Sequence, residues 1–350
     1  MHTVSKHHYA MLLARRGAAV FFLNPPDDSC NGISIVNVDG YPGLRVVSAP
    51  KVASGLRFYP GILRCWLERL WLSHFEKTVG KKIDTIWLFE NSRFFDMRFA
   101  GGRLKIYHQV DLNQEFNPEI AAMTADICFC TTDIIKQRLL SFNSRVYKIH
   151  HGLPEVKNGK SLTNDQVSRF DRNVPHAIYI GNLDMMYLDA ELLVSVVNKF
   201  IDVQFHFVGG YSENGVLKRL SDNLPNAIWW GRVDSALIPK ILDYADILLV
   251  LYKADHYKDQ ASPHKFMEYL ASGKVIVATY TEEYIDKRHL LEMVVNSKEF
   301  SERFGKVINN LSFYNSEEKQ RERISFANDN TYSKQLYRVI SHLQQHGLLL

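Results

Sequence analysis

The sequence lacks most of the features that would place it in a specialised class. Four cysteines, Cys30, Cys65, Cys128 and Cys130, stand in 350 residues. They form no Cys-x-x-Cys pair and share no metal-ligand spacing with a histidine, so neither a zinc module nor a redox motif is indicated. Cys128 and Cys130 lie on one side of an expected strand and read as core. No apolar run approaches the ~20 residues of a membrane span. The formal net charge is only +4, too small to predict binding to nucleic acid. The opening Met1-His-Thr-Val-Ser-Lys-His-His is polar, unlike a secretory signal. These absences predict a cytoplasmic protein with reduced thiols, whose membrane contact, if any, is peripheral.

What is present is a globular composition, 46% hydrophobic and 23% charged, in a chain long enough for two domains. Both halves alternate helix and strand patterns, which implies parallel, doubly wound sheets. In the first half, Tyr9–Arg16 reads as a helix and 18–23 as a buried strand. A hairpin is expected over 33–38 and 44–47. Strands follow over 85–89, 104–108, 125–130 and 145–149. Thr132 and Asp133 suit the start of a helix. Between them, 55–82 carries a wide stripe of Ile62, Leu63, Trp66, Leu67, Leu70, Trp71 and Phe75 among Arg57, Arg64, Arg69, Lys77, Lys81 and Lys82. That pattern fits either a basic, aromatic face on a membrane surface or a helix packed on a sheet with its charges in water. The second is the expectation.

Residues 155–173 are polar and aperiodic, a linker. Strands are then expected at 177–180, 205–208, 228–230, 247–251 and 275–278. Further helices are expected over 283–291, 300–311 and from 332 to 343. Glycines close three of the strands, at Gly181, Gly209-Gly210 and Gly231, where a phosphate can approach the backbone.

The most informative stretch is Ser262-Pro-His-Lys-Phe-Met-Glu-Tyr-Leu-Ala-Ser-Gly-Lys-Val-Ile-Val-Ala-Thr279. Pro263 suits a first helical turn, Gly273 a helix end, and Val275–Ala278 a strand buried on both faces. Lys265 and Glu268 fall on neighbouring positions of one helical face. A lysine there can meet a phosphate, and a carboxylate one turn on can accept from sugar hydroxyls. The same pair would also serve as a solvated ion pair.

This stretch, Pro263-x-Lys265-x-x-Glu268-Tyr-Leu-Ala-x-Gly273-Lys-x-x-Val277-Ala-Thr, resembles the donor-site signature of GT-B glycosyltransferases of the group-1, family 4-like superfamily. The resemblance implies an α/β fold of two facing Rossmann-like domains, with a C-terminal helix packing back on the first. It places an acceptor-binding domain over 1–153, a nucleotide-sugar domain over 154–330 and the returning helix over 331–350. The relatives open with a strand before their first helix. Here the chain starts almost at the helix, so it is either truncated or lacks that strand.

The resemblance implies transfer of a hexose-type sugar from a nucleoside-diphosphate sugar to a glycan or lipid-linked acceptor in bacterial surface polysaccharide synthesis, with no metal or other cofactor. Glu268 would hold ribose. Lys265, Gly181 and Ser262 would lie at the donor, with Arg232 bordering the base. Asp111, after the strand 104–108, would act as base or acceptor-orienting group, and otherwise as a helix cap. His151, in a His-Gly turn at the domain boundary, would face the phosphates or hold the hinge. Two departures matter. The loop after Gly181 has no Arg or Lys, which throws the phosphate work onto Lys265 and Arg232. Gln260 stands where many retaining relatives carry a glutamate, so retention is not implied. A nucleotide-sugar epimerase on the same fold and a noncatalytic partner subunit are the alternatives. Peripheral contact with the inner membrane would use 55–82.

Overall fold

A computed structural model describes residues 4–112, 116–155, 160–171, 173–256 and 265–350. The chain divides into two compact units. Among the described residues one holds 4–150 and again 332–350, the other 151–331.

In the first unit, β1 (Val20–Leu23), β2 (Ser34–Val38) and β3 (Tyr41–Ser48) form one sheet in the order β1-β3-β2. β2 and β3 are the expected antiparallel hairpin, turning at Gly40 with φ 76°. A second sheet runs β4 (Thr85–Leu88), β5 (Leu104–Gln109), β6 (Ile127–Cys130), β7 (Val146–Lys148), parallel throughout. Apolar side chains leave both faces of this sheet, so both must be covered. One face sends Tyr107, Cys128 and Cys130 into a core shared with Leu72, Phe75, Phe94 and Phe99. The other sends Ile106, Ile127 and Phe129 against Val339 and Leu343. Those two residues belong to the last helix, Tyr332–Gln345, which packs on the first unit as expected. Tyr332 also meets Ser5 of the helix Ser5–Arg15, hydroxyl to hydroxyl, at 2.9 Å.

The second unit is built on one six-stranded sheet: β8 (His176–Ile180), β9 (Gln204–Val208), β10 (Ala227–Gly231), β11 (Ile247–Val250), β12 (Val275–Ala278) and β13 (Glu292–Met293). Its order is β10-β9-β8-β11-β12-β13, with every pair parallel. The chain builds outward from β8 on one side, then returns to build outward on the other. β8 and β11 therefore flank a topological switch point, the place where such sheets open a crevice at their carboxyl ends.

Three expectations need correction. The helix expected over 283–291 is only a short 3-10 turn, Glu282–Tyr284. The carbonyl of Leu290 is taken at 3.0 Å by the Arg323 guanidinium, which also reaches Gly273 O and Tyr314 O. Arg323 comes from a helix, Glu317–Asp329, whose polar sequence gave no apolar stripe to read. The helix over 300–311 stops at Ile308, and a separate turn follows over Leu311–Tyr314. The helix Gly61–Val79 turns only part of its charge to water: Arg69 and Lys77 are exposed, but Arg64, Glu68 and Glu76 are buried.

Candidate functional site

The register of the six-stranded sheet sets Ile180 beside Val208, and Val208 beside Gly231. The residues that follow, Gly181, Gly209-Gly210 and Arg232, therefore gather along one edge. Gly181 N–H donates to Val208 O, and Gly209 N–H to Gly231 O, both at 2.9 Å. The backbones are too close for side chains: a Cβ on Gly209 would lie 1.8 Å from Gly181 O. Gly181 itself has φ +150°, a region most side chains avoid.

The helix Lys265–Ala271 is held to this edge by Tyr269, whose hydroxyl accepts from Ile180 N–H at 2.8 Å. That contact brings Lys265 to the switch point. Its Nζ stands 4.0 Å from the ring centre of Tyr179 and 5.4 Å from that of Tyr252. A Cβ placed on Gly181 would be 3.1 Å from Lys265 Nζ and 3.3 Å from Tyr179 Oη. Both polar atoms are buried, and among the described residues neither has a hydrogen-bond partner. Tyrosine rings offset part of an ammonium's lost hydration, but a buried charge without hydrogen bonds remains costly. Burial pushes the Lys265 ammonium down to about 7, against the pull of Glu268. Burial pushes the Glu268 carboxyl up to about 7, against the pull of Lys265. Chemically this is an anion site beside a carboxyl group poised near neutrality.

Arg232 is exposed beside this edge. A Cβ on Gly210 would stand 2.7 Å from its Nε, so the glycine leaves the path of that side chain open. A cavity of about 480 Å³ opens on the far side of the 182–189 loop, lined among others by Asp184, Met186, Asp189, Ser212 and Lys253. Gly181, Arg232, Lys265 and Glu268 do not line it, so we place the site by the orphaned polar atoms and not by this cavity.

The sheet thus brings together Gly181, Arg232, Lys265 and Glu268 of the expected residues. Gln260 and Ser262, with the expected helix start at Pro263, lie outside the described residues. Asp111 follows β5 in the first unit. Its side chain reaches solvent, yet the protein around it strips enough water, with the charge of Glu90, to raise its carboxyl above the usual range. His151 is buried where the second unit begins, next to a pairing of Leu153 N–H with Asn330 O at 2.7 Å. Among the described residues, no three His, Cys, Asp or Glu side chains come together as metal ligands. Sequence reading missed the tyrosines. Tyr179, Tyr252 and Tyr269 carry hydroxyls at or beside buried strand ends, where each polar tip must find a partner or do without. That was the available signal.

Comparison with known proteins bears on the family and the fold. Residues 174–311 match the family model of group 1 glycosyl transferases. Teichuronic acid biosynthesis glycosyltransferase TuaH of Bacillus subtilis, so named, is 25% identical over 187 residues. That alignment spans 49% of this chain and 47% of TuaH, about half the length of the relative. Among solved structures, sucrose-phosphate synthase of Thermosynechococcus elongatus superposes with a TM-score of 0.72 at 13% identity, covering 96% of this chain and 91% of the other. HepE of Anabaena, solved in complex with UDP, superposes with a TM-score of 0.64 at 13% identity, covering 87% of each chain. Likeness at such identity is one of fold. The match to group 1 glycosyl transferases thus lies within the second unit, and the chain shares the GT-B fold of two Rossmann-like domains with these structures.

Proposed function

We propose that the protein transfers a hexose-type sugar from a nucleoside-diphosphate sugar to a glycan or lipid-linked acceptor, in assembly of a bacterial surface polysaccharide. The observation that carries this reading is the convergence of two buried groups unpartnered among the described residues, Lys265 Nζ and Tyr179 Oη, on one side of Gly181. A donor diphosphate would complete both. In the reaction, an acceptor hydroxyl oxygen bonds to the anomeric carbon. The bond from that carbon to the diphosphate breaks, and the diphosphate leaves with the electron pair. Lys265 is placed to neutralise that charge, a contribution that grows as the bond breaks. Glu268 accepts from ribose hydroxyls, and Arg232 borders the nucleotide. Asp111, its carboxyl made more basic by its surroundings, takes the acceptor proton if it lies within hydrogen-bond reach. A lipid-linked acceptor would put the enzyme at the cytoplasmic face of the inner membrane.

The test is calorimetric titration of UDP into the parent chain and Lys265→Ala. Removing one partner of a buried charged contact costs about 2–5 kcal/mol, so the variant should bind at least roughly thirtyfold more weakly. Equal affinity would end the reading.

A further inference from the structure

The helix Gly61–Val79 distributes its side chains against the rule for a surface helix, which turns an apolar stripe to the core and its charges to water. Its buried residues are Arg64, Glu68, Leu72, Phe75 and Glu76. Its outer ridge is Ile62, 91% exposed, Trp66, 54%, and Leu70, 48%. These recur every four residues and so lie in one row. Phe58, 78% exposed, extends the row onto the turn Leu56–Phe58.

The roll of the helix is fixed from inside. Arg64 pairs with Asp96 at 2.8 Å. Glu76 accepts from Arg103 at 2.7 Å, Ile83 N–H at 2.9 Å and Lys82 at 3.1 Å. A helix that keeps carboxylates inside and tryptophan and isoleucine outside is adapted to something other than water on its outer face.

The charge around the ridge says what that is. Between 51 and 82 the exposed charged residues are Lys51, Arg57, Arg69, Lys77, Lys81 and Lys82, all cationic. The only two carboxylates of the stretch, Glu68 and Glu76, are the buried ones. Lys51 pairs with Asp28 and Lys82 with Glu76. Among the described residues the other four meet no carboxylate, and Arg69 donates to the carbonyls of Phe99 and Arg98. Two copies of this face could not close on each other, because the like charges would oppose. We propose that the face rests on an anionic lipid surface. Ile62, Trp66, Leu70 and Phe58 enter the boundary between headgroups and acyl chains, and Arg57, Arg69, Lys77 and Lys81 meet lipid phosphates. An apolar ridge with a basic rim is the composition that binds such an interface, and basic residues near it add attraction that salt weakens. This deepens the reading of a lipid-linked acceptor, but it uses no residue of the donor edge.

The experiment is co-sedimentation of the full chain, without nucleotide, with vesicles of mixed phosphatidylglycerol and phosphatidylcholine and with vesicles of phosphatidylcholine alone. The parent should bind the anionic vesicles at least ~10-fold more tightly, and high salt should weaken that binding. A variant with Ile62→Gln, Trp66→Gln and Leu70→Gln should lose at least ~10-fold. It should keep the parent's melting temperature and UDP affinity, because all three side chains are outside the core. No binding by the parent, or equal binding by the variant, overturns the proposal, as does attachment to a soluble acidic protein in place of vesicles. UDP titration of the same preparations reports on the donor site separately.

Discussion

Lys265 in the second unit and Glu68 in the first are the same anomaly in two settings. Each is an ionisable side chain whose charged atoms are buried without a hydrogen-bond partner. Burial is the main cause of both shifts, Lys265 down to about 7 and Glu68 up to about 8. Their surroundings differ. Lys265 adjoins a glycine at the carboxyl edge of the sheet, and a second orphan, Tyr179 Oη, converges on the same Cβ position. Glu68 is fully buried beside the charges of Arg64 and Asp96. Its neighbour Asp96 takes the hydrogen bonds of Arg64 at 2.8 Å and Arg98 at 2.6 Å, and Glu68 gets none. Two orphans that converge at the carboxyl edge of a parallel sheet are placed to share one ligand. An orphan inside an ion cluster is a cost carried by the fold, here the cost of the roll of helix Gly61–Val79. The two also tilt stability in opposite directions. Between about 7 and the ordinary 10.5 the unfolded chain holds the Lys265 proton and the folded chain does not, so that contribution improves as pH rises. Between the ordinary 4.5 and about 8 the folded chain holds the Glu68 proton and the unfolded chain does not, so that contribution falls as pH rises.

The largest expected effect tests whether the edge beside Lys265 is fixed by backbone. Gly209→Ala would put a Cβ 1.8 Å from Gly181 O at a φ of +148°, and neither backbone can yield without breaking the β8–β9 pairing. The variant should lose more than about 4 kcal/mol in chemical denaturation, or fail to fold. Gly40→Ala, with φ +76° but open space around it, should cost about 1 kcal/mol. Parent-like stability of Gly209→Ala would mean that the edge is soft and that the orphaned groups can move to other partners.

The second effect reads the proton directly. An anion beside Lys265 favours the charged ammonium, so binding takes up a proton wherever the free site has lost one. UDP affinity should be nearly flat below about pH 7 and fall above it by up to about tenfold per pH unit. Calorimetry across buffers of different ionisation enthalpy gives both the slope and the proton count. Lys265→Ala should flatten the slope, and Glu68→Gln should leave it unchanged. A slope that survives Lys265→Ala would assign the proton elsewhere.

These contrasts also show what the sequence made legible. The apolar runs of β8, β11 and β12 and the strand-closing glycines were readable because a parallel sheet buried on both faces leaves no polar alternation to confuse it. Lys265 and Glu268 were readable because the motif around them is local. The crowding of Gly209 on Gly181 was not, since it depends on which strands become neighbours. The roll of helix Gly61–Val79 was hidden for a different reason. Its stripe of Trp66, Leu70 and Trp71 is wide enough to cover more than half the helix. Only the partners of Arg64 and Glu76, set by residues 83, 96 and 103, decide which part faces inward. The helix Glu317–Asp329 escaped because its anchor is one buried arginine bonding three carbonyls, and hydrophobic periodicity carries no trace of such a bond.

The smallest effect isolates the orphan inside the ion cluster. Glu68→Gln keeps the shape of the side chain and removes its charge, while the helix stays pinned by Arg64, Glu76, Leu72 and Phe75. At about pH 5 the folded parent already holds its proton, so parent and variant should differ little. As pH rises toward 8 the parent loses stability relative to the variant, because its unfolded chain releases a proton that the folded chain keeps. The shift already contains the opposing pull of Arg64, and the gap in denaturation free energy should open to about 1–2 kcal/mol by about pH 6. Vesicle binding should not change, because Glu68 lies on the inner face. If the variant is instead less stable than the parent at every pH, the carboxylate is a net partner of Arg64, and the contrast with Lys265 reduces to one of degree.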